Sequence, residues 1–442
     1  MENFIRVYSD ALSKRGGGKE YIETLDIGDG HEILMYSTED GDGDLQVSKR
    51  EILDDIEADM AKLSPVKEKG MKYRVAFLME SFFIGNSSGV YTFIRHFATM
   101  CKEHDMHLDI ILDQKSIREI PDDMAADHVS IFIHDNEFHN PEGYVMFTKE
   151  FEGGVRSEVF ERTFKQYLEE FTPDLVVGHS MPSTKALHNM SDLFKEKGIK
   201  RLAYTHIGDV MDPNNIDMLD FRSEVILDYL DLFQEIDFPI GTQTKSSKEA
   251  IEKVAPKGEC IVLPEPYYSP NGNYRPTKST LGVLIIASHY SRKRFDLMFE
   301  ILAITGLPVT VICGNDTLGG VTLRELAEKA GVQGYRQITN MPNKYLSGII
   351  AQHRVMLHLS EAEVMPYAIL EASEKIPCII NGNAPWAEGE LPCPVIKVDP
   401  SDVYGCVSTI IETYGDAFEY KVFDSASYTT NCDAKWKEFI DG

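Results

Sequence analysis

Short apolar runs, each broken by a polar or glycine-bearing turn and followed by a stretch with helical spacing, recur from residue 74 to near the end of the chain. Val75 to Met79 reads as a buried strand, Gly85 to Gly89 as a turn, Val90 to Lys102 as a helix and Leu108 to Leu112 as the next strand. Unbroken apolar runs alternating with helices predict parallel sheets covered on both faces. Asp174 to Gly178, Arg201 to Tyr204, Ile240 to Thr242 and Cys260 to Leu263 continue the pattern. Pro264, Pro266, Pro270 and Pro276 with Gly272 then give a linker composition. The pattern restarts with Leu281 to Ala287, Leu307 to Gly314, Tyr335 to Ile338, Val355 to Leu359 and Cys378 to Asn381. The prediction is an α/β chain of two doubly wound domains. Its divisions are an appendage over 1–70, a first domain over 71–268, a second over 269–425 and a helix over 426–442.

Composition narrows the classes. A chain of 442 residues with 43% hydrophobic and 10% aromatic content is globular and long enough for two full cores. No apolar run reaches membrane-spanning length, and MENFIRVYSD lacks the layout of a signal peptide. Seven scattered cysteines without a C-x-x-C pair fit a reduced, cytoplasmic setting. The net charge of −27 opposes broad affinity for nucleic acid or anionic membranes, but leaves room for a local basic groove.

Candidate chemistry concentrates in VMLHLSEAEVMPYAILEASEKIPCIING, Val355 to Gly382. An apolar strand stops at Glu361-Ala362-Glu363, a helix opens after Pro366, and another strand follows. The loop lies at the carboxyl end of a strand, where parallel sheets bind ligands. Glu363 on the loop and Glu371 in the helix are positioned to serve one ligand, and the amides between them favour an anion such as a diphosphate. A second loop, Ser288-His289-Tyr290-Ser291-Arg292-Lys293-Arg294-Phe295, places cations at a helix start, which opposes the helix dipole unless an anion sits there. His179 and His206 each follow a predicted strand, with Asp209 just beyond the second. Asp40, Asp42, Asp44 and Glu51 mimic a calcium-loop spacing, but Leu45 stands where that loop needs glycine, so a solvated acidic turn is expected and no metal is assigned.

The E-x7-E spacing followed by LEA and a proline-led strand resembles the signature of retaining glycosyltransferases of the GT-B fold. That resemblance implies two Rossmann-like domains facing a cleft. It implies Glu371 on the nucleotide ribose, Glu363 orienting the donor sugar, and the first-domain loop ending at Gly89 approaching the donor phosphate. It also implies His206 beside the transferred sugar and the nucleotide base passing Gly314. The basic loop resembles the family's G-R-x-x-x-x-K-G-x-x-x-L motif. Lys293 matches its lysine and Ser288-His289 stands in place of Gly-Arg, leaving Arg292 or Arg294 to supply the guanidinium. Met365-Pro366 replaces the Phe-Gly that usually follows the first glutamate. The co-substrate implied is a nucleoside-diphosphate sugar, with no metal required. RKRFDLMFE and YTHIGDV further resemble the DNA α-glucosyltransferases of T-even phages. A hydroxymethylated pyrimidine in DNA is thus one acceptor, and a lipid, polysaccharide or small metabolite is the alternative, as is a non-catalytic binding protein of the same fold.

Overall fold

The computed structural model describes residues 19–28, 31–38, 44–46, 72–79, 89–112, 128–133, 161, 164–165, 167–168, 171–179, 181–205, 231–255, 257–269, 281–314, 316–339, 341, 345–363, 365–388, 391–415 and 418–442. They form two compact units. One holds the described residues of Leu53–Phe82, Phe93–Tyr268 and Thr429–Gly442. The other holds those of Met1–Ile52, Phe83–Thr92 and Ser269–Tyr428.

The chain opens with an antiparallel pair, β1 (Lys19–Gly28) and β2 (His31–Thr38), followed by β3 (Asp44–Gln46). The first parallel sheet is built from β4 (Tyr73–Met79), β5 (Met106–Leu112), β6 (Val129–Ile133), β7 (Leu175–Gly178), β8 (Lys200–Tyr204), β9 (Ile240–Thr242) and β10 (Cys260–Val262). Its order is β10-β9-β8-β7-β4-β5-β6, with every pair parallel. Helix α1 (Gly89–Glu103) follows β4, α2 (Met181–Asn189) and α3 (Ser191–Lys197) follow β7, and α4 (Lys245–Glu252) follows β9. The core gathers Ala76, Leu78, Val176, Phe164, Phe194, Phe233 and Ile240, all essentially inaccessible. At α4 the cap is Thr244, whose hydroxyl accepts from Ser247 N at 3.0 Å.

The second parallel sheet comprises β11 (Val283–Ile286), β12 (Val309–Cys313), β15 (Tyr335–Thr339), β16 (Val355–His358), β17 (Cys378–Asn381) and β18 (Ile396–Val398). A small antiparallel pair, β13 (Thr317–Leu318) and β14 (Val321–Thr322), lies between β12 and β15 in the chain. The order is β18-β17-β16-β11-β12-β15-β3, so the edge strand comes from the N-terminal segment. Gln337, Ile338 and Thr339 pair in parallel with Asp44, Leu45 and Gln46. Asp44 is therefore in a strand and not in the acidic turn expected of it. The alternation Asp-Leu-Gln carried a strand signal that the surrounding acids obscured. Helices α5 (Phe295–Thr305), α6 (Leu323–Ala330), α7 (Leu346–Ile350), α8 (Tyr367–Ser373), α9 (Pro385–Glu388) and α10 (Val403–Tyr414) belong to this unit. Phe295, Met298, Phe299 and Leu302 of α5 share a core with Val283, Val309, Val355, Cys406 and Ile410. Gly282 enters β11 at φ +90, and a Cβ there would lie 1.9 Å from Pro308 O, so only glycine fits.

The last helix, α11 (Ser425–Asp441), carries Trp436, which is fully buried among Phe93, Phe97 and Tyr204. Its indole Nε1 donates to Pro264 O at 2.8 Å. Lys200 Nζ donates to Ile440 O, and Asp433 accepts from Tyr268 OH and pairs with His104. Truncating Trp436 to alanine removes the ring and leaves the Pro264 carbonyl with only the weaker Cys432 Sγ donor, at 3.1 Å. The expected loss is about 3–5 kcal/mol, read as a lower midpoint in urea unfolding followed by circular dichroism.

Candidate functional site

Strands β11 and β16 are neighbours, with Val283 opposite Val355 and Leu284 opposite Met356. Their carboxyl ends therefore emerge side by side, and each runs into a loop before its helix. The β11 loop passes through a 3-10 turn at Ser291–Lys293 and enters α5 through Arg294. The β16 loop runs from Leu359 to Glu363 and continues through Met365 and Pro366 into α8.

Backbone contacts join the two loops. Arg292 O accepts from Glu361 N at 2.9 Å and from Ser360 Oγ at 3.3 Å. The carbonyl of Ser360 is held by Trp386 Nε1 at 3.0 Å and Asn381 Nδ2 at 3.4 Å, which fixes the start of the acidic loop. Two ion pairs then run in parallel between the loops: Lys293 with Glu363, and Arg294 with Glu361. Arg294 also pairs with Asp296 at 3.5 Å. Its backbone is left-handed, φ 55 and ψ 44, a conformation that costs a non-glycine residue roughly 1–3 kcal/mol. The two carboxylates help offset that cost.

Glu363 Oε1 takes two donors. Lys293 Nζ is one, and His358 Nε2, at 2.8 Å, is the other. The three side chains are nearly enclosed, at 13% exposed for Glu363, 12% for Lys293 and 4% for His358. Burial alone would push the Glu363 carboxyl up, but the Lys293 ammonium and His358 outweigh it and hold the group well below the usual carboxylate range. Burial pulls Lys293 below the ordinary lysine range, with Glu363 opposing. It likewise pulls His358 below the ordinary imidazole range, again against Glu363. At neutral pH the arrangement is a carboxylate between an ammonium and a neutral imidazole.

The other sequence-predicted residues fall as follows. His289 is buried; its Nδ1 donates to Asp316 O at 3.1 Å, and its ring meets Phe295 edge-on, a role in joining the β11 and β12 loops. Arg292 lies over the Tyr290 ring, 4.8 Å from its centroid. Glu371 is buried on α8, Met365 is half-buried just ahead of that helix, and Gly314 is half-buried where β12 ends. Gly89 is the exposed first residue of α1, and a Cβ there would meet nothing within 4 Å. His206 and Asp209 lie outside the described residues. Two participants had not been singled out by sequence: His358, a polar residue closing an apolar strand, and Glu361, two positions before Glu363 on the same loop. Among the described residues no group of three or more His, Cys, Asp or Glu is placed to hold a metal ion. Among them, too, no helix is long and apolar enough to cross a membrane.

Two parallel sheets, each with its helices, make this an α/β chain of two Rossmann-like units, the architecture of the GT-B fold. Among solved structures, sucrose-phosphate synthase from Thermosynechococcus elongatus matches with a TM-score of 0.60 at 12% identity, over 84% of this chain and 94% of that one. HepE of Anabaena, solved with UDP and glucose, matches with a TM-score of 0.57 at 13% identity, over 84% of this chain and 100% of that one. The UDP-forming trehalose-phosphate synthase of Burkholderia xenovorans, solved with glucose-6-phosphate, gives a TM-score of 0.55 at 9% identity, over 84% and 100% of the two chains. At these identities the likeness is one of fold. No protein-family model matches the chain, and no curated protein matches its sequence.

Replacing Glu363 by glutamine leaves Lys293 buried without its counter-ion, an expected loss of about 3–5 kcal/mol at pH 7. Because the folded carboxyl is depressed below its ordinary 4.5, the stabilisation is complete above that pH and fades as pH falls further. Paired urea titrations of wild type and E363Q across this range check it: the gap should be full at neutral pH and shrink on acidification.

Proposed function

We propose that this protein is a retaining glycosyltransferase that moves a sugar from a nucleoside-diphosphate sugar to a hydroxyl acceptor. The observation that carries the reading is the Lys293–Glu363 pair, set on adjacent strand ends just ahead of the helix that bears Glu371. The GT-B neighbours add support, one of them solved with UDP and glucose. In this reading the bond between the anomeric carbon and the diphosphate oxygen breaks, and the acceptor oxygen bonds to that carbon on the same face. The acceptor proton passes to the departing phosphate. Lys293 meets the charge that develops on the diphosphate, which is electrostatic stabilisation of the transition state. Arg292, over the Tyr290 ring, or Arg294, which pairs with Glu361 and Asp296, supplies the second cation. Glu363 orients the sugar hydroxyls and Glu371 accepts from the ribose. For the acceptor, the resemblance in RKRFDLMFE and YTHIGDV supports a hydroxymethylated pyrimidine in DNA.

Glu371→Ala is expected to weaken UDP binding by about 1–3 kcal/mol, since the ribose hydroxyls lose their acceptor. Calorimetric titration with UDP measures this, and unchanged affinity removes Glu371 from the donor site. Transfer should persist in EDTA, because Lys293 supplies the countercharge. Loss of turnover restored by magnesium or manganese overturns that assignment.

A DNA acceptor makes binding of hydroxymethylated duplex fall steeply with added salt, the log–log slope reporting the phosphates contacted. Incubating nucleotide-sugars with that duplex, followed by nucleoside mass spectrometry, tests transfer itself. A flat salt profile with no transfer removes DNA and leaves the glycosyl-transfer reading standing.

A further inference from the structure

Lys293 and His358 hold the same atom, Glu363 Oε1. The second carboxylate oxygen, Oε2, receives no hydrogen bond from the described residues, so it is the one open to a ligand hydroxyl. Lys293 cannot serve Glu363 and a diphosphate equally well, because a diphosphate carries more charge than a carboxylate and draws the ammonium toward it. Withdrawing the ammonium would leave Glu363 as an enclosed anion with a neutral imidazole beside it, an unfavourable state. The imidazole is already in place to correct this. Its Nε2 is 2.8 Å from the carboxylate, and its ring is held edge-on against Trp386, with centroids 5.9 Å apart.

We propose that His358 is the second counter-ion of Glu363: when the diphosphate of a bound nucleotide draws Lys293 away, His358 takes a proton from solvent and keeps the carboxylate in position. The inference rests on the nucleotide-sugar reading above and deepens it by coupling donor binding to proton uptake. Among the described residues, the charged groups that act on His358 are Glu363, next to it on the β16 loop, and Lys293, on the turn ahead of α5, with Arg292 beside that lysine; from α9 the Trp386 indole packs against the ring. Burial and Lys293 both disfavour the imidazolium in the nucleotide-free protein, and Glu363 alone favours it. Moving Lys293 toward the nucleotide removes one opponent and leaves the favourable partner. The imidazole then binds a proton more readily near neutral pH, where histidine ordinarily titrates.

The sign follows from linkage. A group that binds its proton more tightly in the complex makes binding strengthen as pH falls. The test is titration calorimetry of the whole protein with UDP near pH 7, repeated in buffers of different ionisation enthalpy. The dependence of the observed heat on the buffer gives the protons taken up. His358→Gln keeps a side-chain N–H donor and cannot be protonated, and His358→Asn serves if that variant fails to fold. The nucleotide's own phosphate and Lys293 also exchange protons on binding, but both contributions are common to the two proteins and cancel in the difference. Wild type should take up more than the variant, by up to about one proton per UDP, and its affinity should rise more steeply on acidification from pH 8 to pH 6. Equal proton counts in wild type and variant overturn the proposal while leaving the donor reading intact. If wild type binds none of UDP, GDP or ADP, both the donor reading and this coupling fail.

Discussion

Enclosing Glu363 beside Lys293 is the constraint to which the rest of the second unit is fitted. Each of the two loops is self-repelling by itself: Arg292, Lys293 and Arg294 follow one another on the first, and Glu361 and Glu363 stand two apart on the second. Like charges packed so closely destabilise a free loop. Opposed to each other they become two parallel bridges, and the repulsion within each loop turns into attraction between them. The register of β11 against β16 makes this possible, because it delivers both loops to the same level of the sheet. The apolar strands therefore act on the chemistry through geometry, and the hydrogen bonds between the loops hold the charged residues opposite one another.

Arg294 shows how a departure from a familiar pattern can meet the same physical demand. The family motif resembled here has glycine after its lysine, and the backbone at that position is left-handed in this chain. Glycine adopts that conformation without strain, whereas arginine adopts it at a cost and gains Glu361 and Asp296 in return. Here the left-handed position carries a side chain that closes the loop pair.

How far the chain could be read without coordinates depended on the range of the interaction. The strands β4, β5, β11, β12 and β16 are unbroken apolar runs, and their positions followed from pattern alone, as did helix α1 between the first two. Glu363, Glu371 and Lys293 stood out because their spacing repeats a known motif. What spacing could not reveal was partnership across sequence: that Glu363 is shared between Lys293, 70 residues away, and His358, five residues away, or that Glu361 answers Arg294 across 67. Nor could spacing show that His289 joins two loops through Asp316 O, a bond that follows because a buried imidazole must satisfy its ring nitrogen somewhere. Asp44 went to a strand, an outcome decided by Gln337, a neighbour distant in sequence.

Strand β3, contributed from residues 44–46, pairs with β15 at residues 337–339, while α11 at the opposite end of the chain packs its Trp436 among residues of the first unit. Synthesis on the ribosome runs in one direction, so the two units cannot finish in the order in which they are made. β3 emerges early and waits for some 290 residues before its partner exists, a long interval for a segment whose backbone groups seek a sheet edge. The first sheet, in turn, is complete in its strands well before the helix that covers Phe97 and Tyr204 is translated. β3 therefore stays unpaired until β15 is made, and the first unit keeps Phe97 and Tyr204 open until α11 follows.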